Sequence, residues 1–450
     1  MPLTDLQSTP EGVLAAGELI ARLDGCFLHG FARLTGDQRD ALETIARTFT
    51  GTPLATTLDA AVADLLAGNV LAGHLTALAS ARAALEGARH DALQAQAFEA
   101  LGRPAPGAVA TQPAAPFEGP AATLAESTRQ WLLELALAGF LQLERSTVAP
   151  FAPVLEELQA QPALLRLSVL MTGFLYELLA LTPTSGLDVV PGRRLVDLWT
   201  RAMLLASYPQ PEPATTTVSG TFHPVGIDLR HTDHLVSAVV WGVLDAGGAQ
   251  RTARATLTSW KVDAVTGSEV WSMLAERDGN LLGALSAGKA IDITDQPITE
   301  GGDLVWKNPG KLSKKSTPLD AAKTYFAPGA AAPAHALNAP LDRQTVQVAI
   351  PLFLDGVTIK KAGDEATLTA DGLTLPLALE RLSPLGPDLK AVLKANALFG
   401  LLRHDRDQWR LQPLTVDGKD GLATGLDAGI KAKSGVAALL RERAGKLLRK

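Results

Sequence analysis

Cysteine is nearly absent: Cys26 is the single one in 450 residues. That excludes an intramolecular disulfide framework and any zinc site built from several thiolates. Lysine is missing from the first 260 residues, and Lys261 is the first. Charge of either sign is not in large excess. The net charge of −6 excludes a nucleic-acid binder with a globally basic surface. The opening MPLTDLQSTPEG has no basic stretch and no apolar core, so it does not read as a secretory signal. There is no GxSxG, HExxH or CxxC, and no GxGxxG after a strand.

What is present is apolar. Hydrophobic residues make up 47%, enough to bury a core and to exclude wholesale disorder. The longest apolar stretch, 163–181, is long enough to span a bilayer but carries Arg166 and Glu177. These two lie eleven apart, within ~20° of each other on a helix. One polar stripe on an apolar helix describes a soluble core helix, so we expect no membrane span and a cytoplasmic protein. Charge divides unevenly. Residues 1–210 hold 13 Arg and 21 Asp+Glu, a net of −8, and the remainder nets +2.

The periodicity predicts an α+β protein: N-terminal helical blocks, then a mostly antiparallel β region with a few helices. Residues 1–102 read as a helical domain of strong helix formers, with apolar steps such as Leu78, Ala81, Leu85. Residues 103–121 (RPAPGAVATQPAAPFEGPA) read as a Pro/Ala linker, extended and semi-rigid. Residues 122–210 read as a helical bundle that ends at YPQPEP. Residues 214–450 form the mixed β region. Strands are predicted at 215–227, 235–244, 251–262, 269–274, 344–353, 357–361, 366–370, 373–377 and 408–416, with helices at 319–325 and 389–401. A basic amphipathic helix is predicted at 435–449. The AVTGS turn makes 251–262 and 269–274 a hairpin, in which Trp260 faces Trp271.

Three segments together resemble a known layout: WLLELALAGFLQLERS (131–146), VSAVVWGVLDAGGAQRTARATLTSWKVD (236–263) and LFGLLRHDRDQWRLQPLTV (398–416). In order and texture, residues 122–425 resemble bacterial SWIM zinc-finger-family proteins encoded beside MoxR-type AAA+ ATPases and von Willebrand A proteins. The family's cysteine and histidine zinc ligands are absent here, so no zinc-dependent role carries over. The resemblance implies a non-enzymatic accessory or scaffold protein that works with an AAA+ ATPase and a von Willebrand A partner, and that needs no cofactor.

Two other function classes have candidate residues. His223, Asp228, His231, Asp233 and His234 fall within twelve residues, and imidazole with carboxylate is a ligand set for zinc, manganese or iron. A metal-dependent enzyme would centre there, although HTDH matches no established catalytic spacing. The plainer reading is a polar loop. Lys307, Lys311, Lys314, Lys315 and Lys323 form the strongest basic run. It could grip phosphates of a nucleic acid, with Trp306 and Tyr325 placed to stack on bases. It is not a P-loop, because Gly310-Lys311 lacks the flanking Ser/Thr and upstream glycine. The plainer reading is a solvated charged loop. RHDRDQW (403–409) reads as a solvated turn between a helix and a strand, and Cys26 as a buried thiol.

Overall fold

Runs of alanine and leucine punctuated by glycine and proline form, among the described residues of the first half of the chain, nine α-helices. In the computed structural model these are α1 (Val13–His29), α2 (Gly36–Thr48), α3 (Ala55–Leu66), α4 (Ala72–Ala100), α5 (Gly119–Ala138), α6 (Arg145–Val148), α7 (Ala152–Gln159), α8 (Leu165–Leu181) and α9 (Gly192–Ser207). The structure describes residues 3–104, 115–182, 190–210, 214–231, 235–260, 269–307, 309–313, 318–330, 340–370, 372–382, 386–418 and 421–423.

The helices on either side of residues 103–118 share one apolar core. Phe27 of α1 lies 4.4 Å, ring to ring, from Trp199 of α9. The Trp199 indole donates to the Leu132 carbonyl of α5 at 2.9 Å. Backbone closes on backbone at the ends of α1 and α5. Gly30 (φ 90°) and Gly139 (φ 82°) end the two helices in conformations that favour glycine. A Cβ on Gly139 would lie 2.5 Å from the Gly30 nitrogen. Phe31 N–H then donates to the Ala136 carbonyl at 3.0 Å, satisfying one of the last carbonyls of α5.

Helix α4 joins the two halves of the molecule. Its first half, with Leu75, Leu78 and Leu85, lies in the helical core. Its second half, with Leu93, Ala97 and Phe98, lies in a core shared with the C-terminal strands. Arg103 follows it. That residue, at the head of the segment read as a linker, is buried, and its guanidinium donates to the carbonyls of Pro351 at 2.7 Å and of Phe326. Residues 105–114 of that segment lie outside the described residues.

From Thr215 the period changes to two. The elements are β1 (Thr215–His231), β2 (Leu235–Ala246), β3 (Ala249–Trp260), α10 (Glu269–Ser286), β4 (Ile291–Thr299), β5 (Asp303–Leu304), β6 (Lys311–Leu312) and α11 (Pro318–Phe326). They are followed by β7 (Ile350–Asp355), β8 (Thr358–Ala362), β9 (Glu365–Ala370), β10 (Leu373–Pro376), α12 (Leu389–Leu393), β11 (Ala397–Asp405), β12 (Gln408–Gly418) and β13 (Gly421–Ala423). The protein is α+β, as its periodicity predicts.

The first sheet closes on itself. Its order is β1-β2-β3-β5-β4-β6, in which the two-residue β6 adds to β4, and β1 also pairs with β4 to close the first five strands. The long β1 does both jobs: residues 215–222 pair with β4, and 221–231 with β2. Bulges at Val218/Gly220 and Pro224/Gly226 bend it between its partners. Strands β3 and β5 run parallel, and α10 lies between β3 and β4 in the chain. This strand order with one intervening helix is that of a five-stranded Greek-key barrel of the OB type. Leu274, Leu281, Leu282 and Leu285 of α10 fill the barrel core with Phe222, Val240 and Ile293.

A second sheet, β13-β12-β11-β7, packs against the barrel's outer side, and β10-β9-β8 form a third. Strand β11 alternates between two cores. Phe399 and Leu401 face the barrel, and Leu398 and Leu402 face α4 and the third sheet. The barrel comes close enough only because residue 226 is glycine. A Cβ there would lie 2.8 Å from the Phe399 ring and 3.0 Å from Leu414 Cβ.

Several predicted elements differ. Residues 269–274 are the start of helix α10, so there is no Trp260–Trp271 hairpin; Trp260 pairs with Leu235 of β2. The helix predicted over 389–401 stops at Leu393, and residues 397–401 are strand. Residues 344–353 begin with a 3₁₀ turn (Thr345–Gln347) before β7. RHDRDQW turns between two strands, with Arg406 and Asp407 both at positive φ (52° and 57°), as a type I′ hairpin turn requires. The helix predicted at 435–449 lies outside the described residues.

Gly226→Ala tests the barrel contact. Overpacking at such a site costs about 1–3 kcal/mol, so the urea midpoint should fall without loss of secondary structure. An unchanged midpoint would mean that Phe399 and Leu414 do not press on β1.

Candidate functional site

Where the barrel meets the second sheet, apolar packing gives way to charge. Asp228 of β1 and Arg403 of β11 are both buried. Arg403 Nη2 donates to Asp228 Oδ2 at 2.8 Å, and its Nε donates to Gln412 Oε1 at 2.5 Å. Gln412 Nε2 donates to Asp228 Oδ1 at 2.9 Å, and Arg230 Nε reaches Oδ2 at 3.0 Å. Burial works against the Asp228 charge, but Arg403, Arg230 and the Gln412 amide outweigh it and hold the carboxyl below its usual range. Burial pushes Arg403 down to about 10 against the pull of Asp228, so it stays cationic at neutral pH. Beside them Thr415 Oγ1 donates to the Val225 carbonyl at 2.7 Å. This is a closed set of partners that ties two sheets.

The histidine and aspartate candidates divide. His223 and Asp228 are described with their side chains. His231 ends β1, its side chain undescribed, and Asp233 and His234 lie outside the described residues. His223 pairs with Val243, and Asp228 with Val239. They share a face but stand four positions apart on β2, about 13 Å at ~3.3 Å per residue. The oxygens of Asp228 are already taken by Arg230, Arg403 and Gln412. His223 is buried, and its Nδ1 has no hydrogen-bond partner among the described residues. Among those residues, no three His, Cys, Asp or Glu side chains come together as a metal-binding group.

The lysine run is partly visible. Lys307 and Lys311 are exposed, and Lys311 sits opposite Asp292 on β4. Lys323 pairs with Asp355 at 3.2 Å. Lys314 and Lys315 lie outside the described residues. The flanking aromatics turn inward. Tyr325, on the inner face of α11, is buried, and Trp306 packs on the barrel core 6.5 Å from the Phe222 ring.

A second ionic cluster, spread across α1, α4 and α9, has no local pattern to reveal it. Arg82 holds Asp24 through two bonds, at 2.7 and 3.1 Å, and reaches Asp197 at 3.4 Å. Burial opposes the Arg82 charge, but Asp24, Asp197 and Glu86 raise its pKa overall. Arg201 pairs with Asp197 and Asp342. Thr200, Arg201 and Arg343 line a crevice of about 10 Å³, room for about one water. Cys26 lies nearby in the core, its thiol pushed up to about 12 by burial and by Asp24. It is no nucleophile at neutral pH.

The outer face of α8 has another character. Leu165, Val169 and Tyr176 are 47%, 66% and 57% exposed. They lie on one face, while Leu167, Met171, Phe174 and Leu178 on the other fill the helical core. Among the described residues, 162–181 is the one helix long and apolar enough to cross a membrane, and 44% of its apolar window is buried in the protein. Arg166 pairs with Asp342 at 3.3 Å, and Glu177 with Arg194 at 2.9 Å.

Comparison with protein-family models, curated proteins and solved structures finds no match.

The buried histidines set an acid sensitivity. Burial lowers the pKa of His90, His223 and His404, against the opposing pull of Asp91, of Asp245 and Asp292, and of Asp407. The unfolded chain takes up protons near pH 6.5, before the folded protein does. Stability is therefore lost as pH falls below about 6.5. The depressed carboxyl of Asp228 adds a separate loss only below about pH 4. The urea midpoint should be lower at about pH 5.5 than at about pH 7.5. An equal or higher midpoint in acid would contradict the burial of these rings.

Proposed function

We propose that the chain is a non-catalytic interaction protein of the bacterial cytoplasm that works with a MoxR-type AAA+ ATPase and a von Willebrand A protein. The observation that carries this reading is the apolar outer face of α8. Three large side chains stand exposed on one helix, in the manner of a protein-binding surface. The polar clusters have a different use: Asp228, Arg403 and Gln412, like Arg82 and Asp24, are engaged with one another. The layout resemblance supplies the two partner classes.

The OB-type barrel favours a second reading, a nucleic-acid contact through Lys307, Lys311, Lys314, Lys315 and Lys323. Such barrels bind on the face of their second and third strands. Here Trp241 and Val243 on that face pack into the core shared with α11 and β11. The protein-interaction reading therefore leads.

Calorimetric titration of the purified chain with the ATPase and von Willebrand A proteins of its own genome tests the proposal. Binding to at least one, lost in Val169→Glu, is the expected result. Binding to neither contradicts it. A single-stranded oligonucleotide that binds more weakly as salt rises would favour the second reading. One equivalent of zinc or manganese, lost in His231→Ala, would favour a metal-dependent enzyme.

A further inference from the structure

We propose that the outer face of α8 is self-complementary, and that two copies of the chain pair there as antiparallel helices. This rests on reading that face as a protein interface. Residues 165, 169, 173, 176 and 180 recur at steps of four and three and form one stripe. In an antiparallel pair, facing residues have numbers that sum to a constant. A two-fold axis between Thr172 and Gly173 sets Val169 against Tyr176 of the second copy, and Leu165 against Ala180. Every large residue of the stripe then meets an apolar partner. At the axis itself Gly173 points into open space, with nothing within 4 Å of where a Cβ would be. Two helix axes can therefore approach closely.

The charges choose the same arrangement. Arg166 and Glu177 lie eleven residues apart, within ~20° of each other along one flank of the stripe. Antiparallel pairing brings the same flank of both helices together, so Arg166 faces Glu177 of the second copy. The two are offset by two residues, about 3 Å along the axis at ~1.5 Å per residue, which long side chains span. A parallel pair would set that flank against the opposite one, where Thr172 and Leu179 offer no charge. Asp342 and Arg194, already bonded to Arg166 and Glu177, complete an alternating set of four. The patch is balanced in sign, without the excess of cations that a membrane surface selects. One helix face is smaller than the ~800 Å² per partner of a standard interface. The dimer should therefore be weak, with a dissociation constant on the order of tens of micromolar.

Sedimentation equilibrium of the full chain, from low micromolar to several hundred micromolar, reads the association directly. The wild type should dimerise across that range. Val169→Glu, at a position 66% exposed, should keep its circular dichroism and weaken association by at least about tenfold. Arg166→Glu and Glu177→Arg should each weaken it alone. Mixing those two variants should restore it, because opposite charges then meet at both crossings. A monomer at every concentration overturns the proposal. So does a dimer that Val169→Glu leaves intact, or single charge variants that mixing does not rescue. So does binding to phosphatidylglycerol vesicles through Val169 with no dimer. A monomer that still binds the ATPase through α8 overturns self-association alone, whereas a dimer through α8 that binds neither partner overturns only the wider function.

Discussion

Two opposite charges buried between two sheets constrain much of the C-terminal half. Asp228 and Arg403 are 175 residues apart in sequence, and burial penalises each charge unless the other is beside it. Each sheet must therefore arrive in one register. The bulge at Pro224/Gly226 shifts β1 so that His223 and Asp228 lie on the outer face. The regular alternation of β11 puts Arg403 on the same side as Phe399 and Leu401. Gly226 permits the close approach, and Gln412 occupies the donor and acceptor positions that the ion pair leaves over. A slip of one residue in either strand would strand a charge in apolar surroundings. The tie thus specifies register.

The fold class was legible because its two periods are clean. Helices of alanine and leucine give way to Val/Thr strands at Thr215, and glycine turns mark β2–β3. The failures have physical reasons. EVWSML (269–274) is a short run with a β-branched residue and a tryptophan, which fits a strand as well as a helix. Continued to Ser286, Leu274, Leu281, Leu282 and Leu285 give the helical spacing that decides it. Residues 397–401 are buried on both faces in β11, so they show no alternation, and the good helix formers before them mask the change. Barrel closure depends on β1 serving two partners, and no local pattern encodes strand order.

The polar sites were less legible than the fold. The cluster FHPVGIDLRHTDH has the residue types of a ligand set, yet its Asp228 is satisfied by side chains from another sheet. The signal lay in context. An aspartate inside VGIDLR and an arginine after ALFGLL are charges set into apolar strands, and each called for a distant partner. The lysine run stands out by its charge, but its aromatic neighbours face the core. The α8 stripe appeared in sequence as apolar length broken by Arg166 and Glu177. Only the fold shows that one side of it remains outside.

A double-mutant cycle on Asp228→Asn and Arg403→Met, read by urea unfolding at neutral pH, tests the central claim most directly. Asp228→Asn leaves the buried Arg403 with no anionic partner, and Arg403→Met leaves Asp228 to the half-exposed Arg230 and the Gln412 amide; each should cost about 3 kcal/mol. The double variant should lose far less than the sum, giving a coupling of at least about 2 kcal/mol. Costs that add to within about 0.5 kcal/mol would show two independent groups, and the sheets would then be held together by something other than this ion pair.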